Sequence, residues 1–148
     1  MQIRRFRKEE AKKVSSLIRK CLREVNSKDY SKKVIDFMCS HFSPKTVIAN
    51  SEKRRIFVAV EKERILGTAS LHDNVILTVF VNPNIQCKGI GRKLMNKVES
   101  EAKKNGFKSV KLPSSLTAID FYKKLGYKKV KEKYDKNFGK TVIMKKLL

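Results

Sequence analysis

The sequence predicts one mixed α/β domain over residues 1–148, with a sheet of about seven strands flanked by about four helices. Short runs rich in β-branched residues alternate with longer segments whose apolar residues recur at helical spacing. A strand, a helix and a further strand follow one another between residues 75 and 112, an order that implies parallel pairing through a right-handed crossover. A length of 148 residues is enough for one substantial core.

The N-terminal third predicts a short strand and two helices. Residues 2–7 are typical of a strand, and Glu9 and Glu10 begin the first helix, where acidic side chains are favourable. Residues 30–42 form the second predicted helix, and residues 44–49 a further short helix or turn. The first helix has one apolar stripe, made of Ala11, Val14, Leu17, Ile18, Cys21, Leu22 and Val25.

Three strands follow, at residues 55–61, 65–72 and 75–81. Gly67 marks an expected bulge in the second of them. The third reads VILTVFV, which predicts a strand buried on both faces, and Pro83 should end it because proline donates no ladder hydrogen bond.

The C-terminal half predicts two helices and three strands. One helix begins near Gly91 and ends at Asn105-Gly106, and another covers residues 118–125, with Ser115 or Thr117 as its expected cap. Strands are expected at residues 109–112, 128–134 and 141–147.

The segment from Gln86 to Gly91 predicts an anion site. A turn at a helix start leaves several backbone N–H groups without partners, and glycines there permit close approach of another molecule. Lys88, Arg92 and Lys93 lie where the helix dipole disfavours cations unless an anion binds. The alternative is a solvated, lysine-rich helix. The spacing fits neither a Walker-type phosphate loop nor a dinucleotide-binding turn.

Two motifs carry a resemblance to a known family. Gln86-x-x-Gly89-x-Gly91, after a strand that ends at Val81, resembles the acetyl-CoA signature of the GNAT (GCN5-related N-acetyltransferase) family. The second motif runs from Ala118 to Tyr127 as A-I-D-F-Y-K-K-L-G-Y and is similar to the family's A-x-x-F-Y-x-K-x-G-F. The resemblance implies the GNAT fold and an enzyme that transfers an acetyl group from acetyl-CoA to a primary amine.

The resemblance also implies roles for particular residues. The strand that ends at Val81 would part from its parallel neighbour near a bulge and receive the acetyl and pantetheine arm, while the turn would hold the pyrophosphate. Tyr122 would donate a proton to the leaving sulfur, although its alternative is a core tyrosine on an apolar helix face. The implied cofactor residues are Val79, Phe80, Val81, Gln86, Cys87, Lys88, Gly89, Ile90, Gly91, Arg92, Lys93, Phe121 and Lys124.

No sequence motif identifies the general base or the acceptor amine. The central strand offers only Thr78, where some relatives have a carboxylate. The candidates elsewhere are Glu24, Glu61, His72 and Asp73, and a water chain would need no dedicated base. By analogy, the acceptor should contact the first two helices and their loop, where the polar and aromatic residues are Asn26, Asp29, Tyr30, His41 and Phe42.

The composition is notable for a strong positive charge. A formal net charge of +22 favours polyanionic partners, including nucleic acid, or reflects a lysine-biased proteome. Three cysteines that cannot all pair, no leader and no long apolar run favour the cytoplasm and no membrane partner. We expect a monomer or a homodimer. We expect no metal, because two histidines are too few for a site. The alternatives to an acetyltransferase of small amines or proteins are a non-catalytic acyl-CoA sensor and an enzyme directed at tRNA or ribosomal components.

Overall fold

A seven-stranded mixed sheet organises the computed structural model, which describes residues 1–85 and 88–148. Its order is β1-β2-β3-β4-β5-β7-β6, and of these neighbours only β4 and β5 run parallel. The strands are β1 Gln2–Arg5, β2 Arg55–Glu61, β3 Arg64–His72, β4 Val75–Val81, β5 Ser109–Ser115, β6 Lys128–Asp135 and β7 Gly139–Leu147.

Five α-helices lie within the described residues, where about four were predicted. They are α1 Ala11–Glu24, α2 Lys32–Ser40, α3 Pro44–Lys53, α4 Ile90–Lys104 and α5 Ile119–Lys124. In this part of the chain, no helix is both long enough and apolar enough to cross a membrane.

The helices cover both faces of the sheet. The predicted stripe of α1 is buried from Ala11 to Leu22 and packs with α2 and α3 on one face. Helix α4 packs on the other face through five buried residues. These are Ile90, Leu94, Met95, Val98 and Ala102. The sheet is therefore the middle layer between two separate apolar cores.

The N-terminal boundaries differ from the predictions in two places. Strand β1 stops at Arg5, because Arg7 instead donates its N–H to the Glu10 carboxylate (2.9 Å) and starts the turn into α1. Helix α3 runs to Lys53 rather than ending near residue 49. Ser43 caps its N-terminus by accepting the Thr46 N–H (3.2 Å), and the Arg54 N–H closes its last turn by donating to the Asn50 carbonyl (3.0 Å).

Two C-terminal predictions are also corrected. Strand β5 continues to Ser115 because it pairs with β7 along its whole length. Neither Ser115 nor Thr117 caps α5 through its side chain; the chain makes a 3₁₀ turn at Leu116–Ala118, and the Thr117 hydroxyl donates instead to Asp29 (2.7 Å).

Strand β4 is less buried than predicted. Of its seven residues only Ile76 is buried, and the others are partly exposed. The expected bulge at Gly67 is confirmed as a register shift beside it, since Ala59 pairs with Gly67 but Val60 pairs with Ile65.

Candidate active site

Strands β4 and β5 separate soon after they begin. Val75 and Lys111 are the one residue pair that joins them, with the Lys111 N–H donating to the Asn74 carbonyl (3.0 Å). Beyond this point β5 keeps its pairing with β7 and β4 keeps its pairing with β3, so the sheet splits between β4 and β5. The gap opens toward Val81 and explains why β4 is not buried on both faces.

A bulge in β4 lies at the start of this gap. Thr78 has a positive φ of 49°, which is uncommon for a residue other than glycine. The register between β3 and β4 shifts here, because Ser70 pairs with Leu77 but Thr68 pairs with Phe80. The Thr78 and Ser70 hydroxyls hydrogen-bond to each other at 2.6 Å and fix the bulge.

The last three residues of β4 present their side chains to different layers. Val79 and Val81 pack toward α4 and α5, whereas Phe80 packs toward α1 and contacts the Phe42 ring edge-on, with centroids 6.2 Å apart. The buried Cys21 thiol donates to the Val81 carbonyl (3.2 Å). Burial raises the pKa of Cys21 to about 12, so this thiol serves packing rather than reaction.

The start of α4 has the features of an anion site. Gly89 has a φ of 73°, and a β-carbon there would meet no described atom within 4 Å. The first helical hydrogen bond runs from the Lys93 N–H to the Gly89 carbonyl (3.0 Å). The N–H groups of Ile90, Gly91 and Arg92 have no partner among the described residues. Free N–H groups at a helix start favour an anion.

The charges around this turn fit the same interpretation. Lys88, Arg92 and Lys93 are exposed, and none forms an ion pair with a described residue. No acidic side chain lies in the first turn of α4. Because Ile90 is buried in the core, only its backbone can reach a ligand. Two further predicted cofactor residues, Gln86 and Cys87, lie outside the described residues.

Phe121 and Lys124 of α5 are both exposed. The Phe121 ring lies over the α4 start, where a β-carbon on Gly91 would come within 3.0 Å of it. Phe121 is therefore brought to the predicted cofactor turn. Lys124 forms no ion pair with a described residue.

Tyr122 is buried beside this surface, with 6% of its area exposed. Its ring packs edge-on against Phe121 and Tyr127, with centroids 5.1 and 5.7 Å away. Its hydroxyl makes no hydrogen bond with a described residue, yet no fully buried polar side-chain atom in this part of the chain lacks a partner. The Tyr122 oxygen therefore keeps an opening to solvent. Burial raises the pKa of Tyr122, so the phenol is protonated at neutral pH.

The hydroxyl of the neighbouring Tyr127 is already hydrogen-bonded to a side chain of α4. Its hydroxyl donates to Glu99 (2.7 Å), and the same carboxylate accepts from Lys146 (2.9 Å). Of these two tyrosines, Tyr122 is therefore the one whose hydroxyl has no hydrogen-bond partner among the described residues. Its hydroxyl is available to a ligand, whereas that of Tyr127 is not.

The predicted acceptor residues on the α1 side are not all available for binding. The Tyr30 hydroxyl donates to the Lys140 carbonyl (2.6 Å) and accepts the Leu116 N–H (3.0 Å). Asp29 accepts from Thr117, and Asn26 is buried. These residues mainly connect the segment between α1 and α2 to the β6–β7 hairpin and the start of α5.

An aromatic cluster joins α2 to the same hairpin. The rings of Phe37 and His41 lie 4.3 Å apart, and Phe138 contacts both, at 5.0 and 5.2 Å between centroids. His41 was a predicted acceptor residue, whereas its two ring partners were not predicted. Phe37 occupies an apolar position of α2, and Phe138 lies in a hairpin turn whose position only the tertiary structure sets.

Two of the candidate bases lie at the end of β4 that is far from Val81. His72 pairs with Val75, the residue of β4 farthest from Val81, and Asp73 follows it. Glu61 is exposed at the β2–β3 turn, and Glu24 ends α1. Within the described residues, no group of three His, Cys, Asp or Glu side chains could hold a metal ion.

Comparison with known proteins gives one family. Residues 16–148 match the family model described as "Acetyltransferase (GNAT) domain". An uncharacterised N-acetyltransferase of Methanocaldococcus jannaschii is 35% identical over 83 residues, which are 54% of this chain. That alignment spans 29% of the relative, so much of the relative lies outside it.

Two solved structures share the fold at low sequence identity. A GCN5-related N-acetyltransferase from Rhodopseudomonas palustris superimposes with a TM-score of 0.93 at 20% identity, over 99% of this chain and 95% of the other. The PaiA N-acetyltransferase from Thermoplasma acidophilum, solved in complex with coenzyme A, gives a TM-score of 0.82 at 21% identity. This match covers 99% of this chain and 98% of the other.

Proposed function

The chain belongs to the GNAT acetyltransferase family, and we propose that residues 1–148 form one N-acetyltransferase domain that acetylates a primary amine with acetyl-CoA. The observation that carries the proposal is the gap between β4 and β5, which leads directly to the unpartnered N–H groups that begin α4. A thioester arm and a diphosphate fit these two features in sequence. The similar fold solved with coenzyme A supports the choice of cosubstrate.

The cosubstrate would bind in two parts. Its diphosphate would accept hydrogen bonds from the N–H groups of residues 88–92, with the Lys88, Arg92 and Lys93 side chains offsetting its charge. Its pantetheine arm would lie along β4 from Val79 to Val81, in the gap between β4 and β5. Phe121 would cover the arm from the α5 side.

The reaction is a direct attack on the thioester. The neutral amine attacks the carbonyl carbon, a C–N bond forms, and the C–S bond breaks as the sulfur leaves with its electron pair. The amine loses one proton to water as the C–N bond forms. The products are an acetylated amine and coenzyme A.

Tyr122 would stabilise the leaving sulfur. Proton transfer from an ordinary tyrosine to a thiolate costs about 2 kcal/mol, from reference pKa values near 10 and 8.5. Because burial raises the pKa of Tyr122, the full transfer costs more than this. We therefore assign Tyr122 a hydrogen bond to the developing thiolate, with the proton following as charge accumulates on sulfur.

An amine screen tests the proposal. The chain is incubated with acetyl-CoA and a panel of polyamines, aminoglycosides, amino acids and peptide N-termini, and released coenzyme A is measured with a thiol reagent. We expect acceptor-dependent release for at least one class. Tight acetyl-CoA binding without transfer to any amine would identify a non-catalytic sensor instead. No binding of acetyl-CoA would contradict the proposal as a whole.

A further inference from the structure

A second cleft lies at the opposite end of the sheet from the α4 turn. It is bordered by the end of β1, the junction between α3 and β2, the end of β3 and the end of α4, and its empty volume is about 870 Å³. His72, at this cleft, pairs with the first residue of β4, whereas Val81 at the other end leads to the turn. Seven strand residues separate these ends by about 20 Å.

Four cationic residues line this cleft. They are Arg5 at the end of β1 and Lys53, Arg54 and Arg55 at the junction of α3 and β2. None forms an ion pair with a described residue. The strand register brings them together, because Arg5 pairs with Phe57 and Arg55 with Leu71 at the same end of the sheet.

The two acidic residues of the cleft leave this charge largely uncompensated. Glu52 contacts Lys8, outside the cleft, at 3.6 Å, and Asp73 lies 3.8 Å from the His72 ring. All four of these side chains are more than half exposed, so both contacts are weak.

Arginine is more frequent among the basic residues of this cleft than among those of the whole chain. Nine of the 36 basic residues of the chain are arginines, yet three of the four cations here are arginines. A guanidinium donates paired hydrogen bonds that match the oxygens of a phosphate, whereas lysine acts as a point charge.

One of the arginines is positioned by a ring before any ligand binds, because the Arg5 guanidinium lies over the Phe57 ring, 5.7 Å from its centroid. Arg54 is partly buried without an acidic partner, and burial alone lowers its pKa. It lies between this cleft and a small pocket under α1 and α3, and it lines both. A partly desolvated guanidinium gains most from an anion that restores its hydrogen bonds.

We propose that this cleft binds the phosphodiester backbone of a nucleic acid, through Arg5, Lys53, Arg54 and Arg55. The cations come from two separate elements and line an open cleft, which suits a chain of successive phosphates better than one compact phosphate group. The net charge of +22 would steer such a polyanion to the surface. Phe107, which also lines the cleft, offers a ring for base stacking.

The test measures RNA affinity as a function of salt. A fluorescein-labelled oligoribonucleotide of about 20 residues is titrated by fluorescence anisotropy between about 50 and 200 mM KCl. The cleft variant carries Arg5→Gln, Arg54→Gln and Arg55→Gln. Because each single-strand phosphate contact contributes about 0.7 to the salt slope, the slope should fall by about 2.

A matched control carries Lys128→Gln, Lys131→Gln and Lys133→Gln on the exposed strand β6, and so loses the same formal charge. It should keep most of the wild-type slope. Equal losses in both variants, or no RNA binding by the wild type, would overturn the proposal. ATP is the competitor: if it displaces nothing, or displaces RNA only weakly, the backbone assignment holds. If ATP binds the cleft and RNA does not, a free nucleotide is the ligand and the proposal is wrong.

A second variant guards against loss of folding in the triple variant. Should the triple variant unfold, the Arg5→Gln/Arg55→Gln pair keeps the partly buried Arg54, and its slope should fall by about 1.4. Acetyl-CoA affinity should not change in any variant, because the α4 turn lies at the other end of the sheet. This readout distinguishes failure of the cleft from failure of the proposed acetyltransferase site.

Discussion

The aromatic ring of Phe121 lies directly against Gly91, so a β-carbon built on that glycine would come within 3.0 Å of the Phe121 Cζ atom. This contact joins α5 to the first turn of α4. It brings the two sequence motifs together, one at the turn and one carrying Tyr122, on the same side of the β4 gap. The glycine is therefore needed for its lack of a side chain.

Gly91→Ala should weaken acetyl-CoA binding. The added methyl forces the Phe121 ring to move by a few tenths of an ångström or to rotate out over the turn. We expect a loss of about 1 kcal/mol in binding free energy, or about fivefold in Kd, measured by isothermal titration. Alanine has the higher helix propensity, so thermal stability should not fall by a comparable amount.

The double variant Gly91→Ala/Phe121→Ala is the control. Removing the ring removes the clash, so adding Gly91→Ala to Phe121→Ala should cost little further affinity. An equal loss in both backgrounds would show that Gly91 acts independently of Phe121.

Two substitutions at Gly89 distinguish the effect of added charge from the effect of added size at the proposed diphosphate site. Asparagine and aspartate have similar size and both tolerate a positive φ, such as the 73° of Gly89. Gly89→Asn should weaken acetyl-CoA binding moderately. Gly89→Asp should weaken it by a further tenfold or so, because it places like charge beside the diphosphate. Indistinguishable affinities for the two variants would place the diphosphate elsewhere.

Tyr122→Phe should affect turnover rather than binding. The substitution keeps the ring packing against Phe121 and Tyr127 and removes only the hydroxyl that has no described partner. With an acceptor found in the amine screen, kcat should fall roughly 10- to 100-fold while the Kd of acetyl-CoA stays unchanged. A variant as fast as the wild type would remove Tyr122 from the mechanism. Tyr127→Phe, which removes a hydroxyl already bound to Glu99, is the comparison for general loss of packing.

Tyr30→Phe should reduce stability. Its hydroxyl satisfies both the Lys140 carbonyl and the Leu116 N–H, so phenylalanine leaves these two backbone groups without that partner. We expect a loss of about 1–3 kcal/mol in the free energy of unfolding, measured by urea denaturation. Ser27→Ala, which removes an exposed local hydrogen bond to the Arg23 carbonyl, should cost much less. Similar losses in both variants would contradict the proposed connecting role of Tyr30.

Local patterns predicted most of the elements correctly. The limits of β4, the end of α4 at Asn105 and the buried stripe of α1 follow from residue type and spacing, which act within a few residues of the chain. Boundaries failed where a side chain found an unexpected partner. The Glu10 carboxylate accepted the Arg7 N–H and ended β1 early, and the Thr117 hydroxyl donated to Asp29 instead of capping α5.

By itself the sequence determined the family and the glycine turn that begins α4, because glycine conformation and helix periodicity are local properties. Only the tertiary structure decided that β4 leaves β5 after Val75, that Phe121 covers Gly91, and that four unpaired cations meet at the far end of the sheet. These relationships join residues from about 30 to about 50 positions apart in the chain. They depend on strand register and helix packing, which no short segment encodes alone.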